Sequence, residues 1–124
     1  TINIFEQSCV PILKEANDQK INIIAKEVFS NGLLTNANKD YHQEDIQNLQ
    51  HTAKEINLTL EQLSYLWVYQ LPFIKIILTG ASTIDQLQEN FNCLKKIDTT
   101  IPNLDHFSMS VDDYWSTRKK LNWN

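Results

Sequence analysis

The chain has 124 residues, 42% of them hydrophobic and 21% charged, a composition that suits one folded domain and excludes disorder. Its formal net charge of −4 gives a long-range field that repels nucleic acid and anionic membranes. The 2 glycines, Gly32 and Gly80, are too few for a G-x-G-x-x-G or P-loop signature, so any nucleotide has to be held in another way.

Ile2, Ile4 and Phe5 form a short apolar segment that predicts a first strand, and Thr1 runs straight into it with no leader pattern, a start that reads as a cut. Ser8 can open the helix that follows, with Pro11 tolerated in its first turn and Val10, Leu13 and Ala16 as its apolar stripe. After the polar stretch Asn17 to Lys20, Ile21, Ile23, Ile24 and Ala25 predict a strand buried on both faces. From Glu27 to Tyr41 the pattern dissolves into a long polar loop of the kind that often carries function.

Two helices come next. Ile46, Leu49, Ala53 and Ile56 mark the first, and Thr59-Leu60-Glu61-Gln62 is a capping box opening the second, whose buried face is Leu60, Leu63, Leu66, Trp67 and Leu71. Pro72 stops that helix, and Phe73 to Leu78 has the β-branched density of a third strand ending at Thr79-Gly80. A helix starting at Ser82 or Thr83 carries the stripe Ile84, Leu87, Phe91, Leu94 and Ile97, and Ser110 caps a short last helix with Tyr114, Trp115 and Leu121. This order of elements is the alternation that builds parallel sheets.

The basic runs, Lys95-Lys96 and Arg118-Lys119-Lys120, read as solvated helix faces rather than nucleic-acid contacts. Cys9 and Cys93 fit no C-x-x-C metal or redox spacing and read as buried free thiols in a reducing compartment. The longest apolar run, Leu71 to Leu78, is broken by Pro72 and Lys75 and falls far short of the roughly 18 residues of a membrane span. These features predict a soluble, cytoplasmic protein with no metal site.

The segment Gly80-Ala81-Ser82-Thr83-Ile84-Asp85-Gln86-Leu87-Gln88-Glu89-Asn90 resembles the last strand-to-helix junction of the aldo-keto reductase family, with its G-A-S-x-x-x-Q-L-x-E-N pattern. In the same order, Asn3 to Ser8 is similar to that family's sixth strand, and Lys26 to Thr35 to its seventh strand and following loop. Thr59 to Leu71 is similar to the helix before its eighth strand, and Tyr114 to Arg118 with Leu121 to Asn124 to the tail of one bacterial and cyanobacterial branch. The resemblance implies an α/β fold: the chain, residues 1–124, as the C-terminal portion of a (β/α)8 TIM barrel, with three parallel strands and flanking helices.

It also implies an oxidoreductase that moves a hydride between NADP(H), or NAD, and a small carbonyl substrate. Gly80, Ala81, Ser82, Gln86, Glu89 and Asn90 would hold the adenosine half, and Glu27, Val28, Phe29 and Gly32 would lie over the pyrophosphate through backbone N–H groups. Many relatives carry Lys and Arg where this chain has Gly80 and Gln86, so the choice between NADP and NAD stays open. A carboxylate at Glu27 would repel a pyrophosphate unless Lys26 or solvent intervenes, and Ile2 stands where relatives stack an aromatic ring on the nicotinamide.

Read without the resemblance, Gly80 to Ser82 is an ordinary strand-to-helix turn whose free N–H groups and helix dipole also suit a phosphate. The family's catalytic tyrosine, lysine, aspartate and histidine lie in the first half of its barrel, and no segment here matches them. Tyr41, Tyr65, Tyr69, Tyr114, His42, His51 and His106 therefore take no catalytic role, and Trp115 and Trp123 are expected to anchor the tail. The chain alone is expected to be inactive. The alternative is a non-enzymatic interaction or oligomerisation module whose open sheet edges pair with a second copy or a partner.

Overall fold

A computed structural model describes residues 1–35 and 43–121. The later part of the long polar loop, with Tyr41 and His42, and the end of the tail, with Trp123, lie outside the described residues. The elements run α1 (Val10–Asp18), β1 (Ile23–Ala25), α2 (Glu44–Glu55), α3 (Leu60–Tyr69), β2 (Ile74–Ile77), α4 (Ile84–Leu94), a 3-10 turn (Asp105–Phe107) and α5 (Val111–Lys120).

The described residues make an α/β fold around two parallel strands, not the three that were expected. Ile23 pairs with Ile74, Ile24 with Ile76 and Ala25 with Ile77, with an irregularity after Ile23. The pairing continues one step, where Leu78 N–H donates to the Ala25 carbonyl at 2.9 Å.

The expected first strand curls instead. The Asn3 side-chain carbonyl accepts from the N–H groups of Phe5 and Glu6, both at 3.0 Å, and Glu6 N–H also donates to the Asn3 carbonyl at 3.1 Å. An asparagine side chain that bonds its own following backbone competes with a sheet ladder, and among the described residues one backbone bond reaches across to the end of β1, from Ile2 N–H to Lys26 O at 3.3 Å. Ile2, Ile4 and Phe5 are nonetheless buried core residues. Ser8 does not cap α1, because its hydroxyl and N–H are turned onto the Glu6 carboxylate. Cys9 stands at that position with no side-chain cap, and Pro11 sits in the first turn as its sequence position predicts.

The core forms around α3. Its Thr59 hydroxyl accepts from Gln62 N–H at 3.2 Å and the Gln62 side chain accepts from Thr59 N–H at 3.0 Å, so the predicted capping box is present. Leu60, Leu63, Leu66 and Trp67 are buried as expected, with Leu71 half-buried, and Ile46, Leu49 and Ala53 of α2 meet them.

Two apolar surfaces break the expected pattern. β1 is covered on one face only: Ile23 and Ala25 are buried while Ile21 and Ile24 are each 53% exposed, and Ile76 and Leu78 of β2 and its extension are about half exposed as well. The stripe on α4 is exposed along its length, with Ile84 at 85% and Phe91 at 56%; among the α4 residues only Cys93 is buried.

Candidate functional site

Because β1 and β2 run parallel, the turns that leave their C-terminal ends emerge from the same end of the sheet. Those turns are residues 26–34, with Glu27, Val28, Phe29 and Gly32, and 79–83, with Gly80, Ala81 and Ser82; the other predicted cofactor residues, Gln86, Glu89 and Asn90, follow on α4.

The first turn winds through left-handed backbone. Glu27 (φ 56), Ser30 (φ 49), Asn31 (φ 55) and Gly32 (φ 89) all have positive φ, so the conformational freedom expected of Gly32 is used. Ser30 N–H bonds Glu27 O at 2.8 Å, Gly32 N–H bonds Phe29 O at 3.0 Å and Leu34 N–H bonds the same Phe29 oxygen at 3.1 Å. Val28, Leu33 and Leu34 are buried and pin the turn to the core. Among the described residues no acceptor takes the N–H of Val28 or Phe29, which leaves two backbone donors for a ligand.

Glu27 is held from two sides. Its carbonyl accepts from the Asn3 amide at 3.0 Å, and its carboxylate takes a two-pronged bond from Arg118, Nε to Oε2 at 3.2 Å and Nη2 to Oε1 at 2.9 Å. The same Asn3 amide donates to the Tyr114 hydroxyl at 2.9 Å, so α5 is tied to this turn twice. Hydrogen bonding from the Arg118 guanidinium holds the Glu27 carboxyl below the usual carboxylate range, against the opposing effect of partial burial. Burial pushes the Tyr114 phenol up, and the hydrogen bond from the Asn3 amide offsets part of that rise.

Two expectations change here. Arg118 is 7% exposed and faces inward, so it does not belong to a solvated basic face; Lys119 and Lys120 do. The charge that pairs with Glu27 is Arg118, with Lys26 a weaker influence, and the pairing offsets the carboxylate's charge.

The second turn is engaged with itself. Thr79 Oγ1 accepts from Ala81 N–H at 3.1 Å and from the Asn90 amide at 2.5 Å. Gln86 Oε1 accepts from Ser82 N–H at 2.8 Å and from the Ser82 hydroxyl at 3.2 Å, while Thr83 caps α4 by accepting from Gln86 N–H at 3.2 Å. The N–H groups of Ala81 and Ser82 are therefore not free, contrary to expectation. A side-chain amide oxygen occupies the place where two Ser82 donors converge, and a ligand oxygen would have to replace it. Gly80 has open space around a built Cβ and no positive φ, so the turn does not require glycine there.

Gly80, Ser82, Gln86 and Glu89 are exposed, and Ala81 and Asn90 half-buried. Glu27, Phe29 and Gly32 are half-buried, and Val28 is 2% exposed. Ile2 is 1% exposed and packed in the core. Tyr65 and Tyr69 stack on one another along α3 at 6.5 Å, His51 is an exposed neighbour of Glu55, and His106 lies against Phe107. Trp115 is 39% exposed and meets Tyr114 edge-on at 5.2 Å.

Asn3, Tyr114 and Arg118 are the residues that sequence reasoning missed. A signal existed: Tyr114 and Arg118 stand four apart on one face of α5, and Asn3 is a lone amide between Ile2 and Ile4. No curated protein matches the chain. A model of the Aldo/keto reductase family matches residues 2–106, a span that contains Asn3, both strands and both turns and stops short of α5. With most of its length inside that match, the chain belongs to the aldo/keto reductase family.

Proposed function

We propose that the chain is the cofactor-contacting C-terminal part of an NAD(P)H-dependent reductase, built as the later β/α units of a (β/α)8 barrel and carrying no catalytic tetrad of its own. What supports the reading is one arrangement: parallel pairing of β1 and β2 brings the 26–34 and 79–83 turns to the same end of the sheet, where strand-end turns of α/β folds take ligands. The backbone N–H groups of Val28 and Phe29 would take the pyrophosphate, with Gly32 allowing the chain to pass close to it. Gly80, Ala81 and Ser82 with Gln86, Glu89 and Asn90 would take the adenosine half, once Gln86 releases Ser82. When bound, the nicotinamide supplies the hydride for a small carbonyl substrate. The free thiols Cys9 and Cys93 fit a reducing, cytoplasmic setting.

NADPH and NADH fluorescence titrations against the purified chain test the reading. Enhancement that is lost when the Ser82 and Asn90 side chains are removed supports it. Absence of binding to the chain, or reduction of a generic aldehyde at the rate of an intact enzyme, overturns it.

The second reading, an interaction module, has its own observation in the exposed apolar residues of α4 and the sheet. It predicts a stable oligomer with no nucleotide binding. A monomer across the micromolar range by light scattering argues against it.

A further inference from the structure

Helix α5 lies beyond the residues matched by the family model, yet it makes a two-pronged charged contact to the first turn of the candidate cofactor site. Three observations converge on it. Glu27 is a non-glycine residue at φ 56, a conformation that needs support from its surroundings. Both of its polar ends are gripped: the carbonyl by the Asn3 amide, and the carboxylate by the planar fork of Arg118. The Asn3 amide is itself fixed, because its carbonyl end accepts from Phe5 and Glu6 and its nitrogen also donates to Tyr114, which is 2% exposed.

We propose that α5 is a positioning clamp for the nucleotide turn: Arg118 through Glu27, and Tyr114 through Asn3, hold residues 27–34 in their left-handed path and turn the Glu27 carboxylate away from an incoming phosphate. The ligand part of this statement rests on the cofactor reading; the clamp itself does not. Arg118 and Tyr114 touch neither phosphate nor substrate. They act through the turn. Four of the turn's amides make internal bonds that depend on its path, those of Ser30, Gly32, Leu33 and Leu34. If the clamp opens, these should exchange with solvent sooner than the amides of α3.

Amide hydrogen exchange on the full chain tests it, with wild type, Arg118→Met, Arg118→Lys and Tyr114→Phe compared. The expected result is exchange at residues 30–34 faster by about tenfold or more in Arg118→Met, smaller increases in Arg118→Lys and Tyr114→Phe, and unchanged exchange across α3. Unchanged exchange at 30–34 in both Arg118→Met and Tyr114→Phe overturns the clamp. So does acceleration shared equally with α3, because it marks a general loss of stability. Should Arg118→Met fail to fold, Tyr114→Phe, which removes one hydroxyl, decides.

A charge readout separates positioning from simple packing. In NADPH titrations the single variant Arg118→Met, with an unpaired carboxylate, should bind about tenfold more weakly than the double variant Glu27→Gln/Arg118→Met, since one charge a few ångströms from a pyrophosphate at a protein surface is worth on the order of that factor. Equal weakening in both overturns the claim that Arg118 shields the phosphate. If wild type itself leaves NADPH fluorescence unchanged, the cofactor reading and this shielding fall together, while the exchange comparison still decides the clamp.

Discussion

Glu27 and Arg118 are separated by 91 positions in the chain and meet through two nitrogen–oxygen contacts, of which the shorter is 2.9 Å. The guanidinium side is 8% exposed and the carboxylate side 21%, so the pair is mostly withdrawn from water without being sealed. A pair in that position costs more to break than an exposed one, because the partner left behind keeps its desolvation.

Acid should weaken the fold through this pair. The Glu27 carboxyl lies below its ordinary value of 4.5 in the folded chain, so its contribution is fully present above that pH and is lost as pH falls through the lower folded value. Urea midpoints measured from pH 7 down to pH 3 should therefore fall more steeply for wild type than for Glu27→Gln, which starts lower at pH 7. Parallel curves would remove Glu27 as a source of acid sensitivity.

The two glycines should respond unequally to alanine. Gly32 sits at φ +89, so Gly32→Ala should cost about 1–2 kcal/mol of unfolding free energy despite the open space around it. Gly80 has ordinary φ and equal room, so Gly80→Ala should stay within about 0.5 kcal/mol. Equal costs by denaturant unfolding would contradict the assigned backbone.

Thr59→Ala should lower stability by about 1 kcal/mol, since it removes the oxygen that accepts from Gln62 N–H and breaks the capping box. Thr59→Ser keeps that oxygen and should recover most of the loss. If serine behaves like alanine in thermal melts, the cap contributes nothing.

Burial pushes the Cys93 thiol up to about 11, and its hydrogen is turned onto the Glu89 carbonyl at 3.3 Å. At pH 8 it should react with a thiol-exchange reagent far more slowly than in denaturant, and after Cys9, which is only half-buried. Complete labelling of both cysteines at the rate of a free thiol would place Cys93 at the surface.

The sequence showed the elements best where local chemistry decides them. The capping box at Thr59, the stop at Pro72 and the buried faces of α2 and α3 follow from spacing, because helix period and side-chain size fix them. It failed where a side chain overrides the backbone pattern: Ile2, Ile4 and Phe5 have strand propensity, but Asn3 bonds its own neighbours and bends the chain. Arg118 was hidden for a different reason. Its value depends on a carboxylate 91 residues away, and within its own run of three cations nothing sets it apart except its distance from Tyr114. The candidate turns were visible through the two glycines and the family pattern, whereas the occupation of Ser82 by Gln86 is a matter of side-chain conformation.

The uncovered ridge on α4 has a practical consequence for handling the protein. At neutral pH a net charge of −4 keeps molecules apart, and that repulsion fades towards the isoelectric point near 5.2. The ridge of Ile84, Leu87, Phe91 and Leu94 does not titrate, so its stickiness stays constant while the opposing charge disappears. Solubility should thus be lowest in mildly acidic buffers, and colloidal behaviour there should depend on concentration, well before the acid that breaks the Glu27 pair is reached.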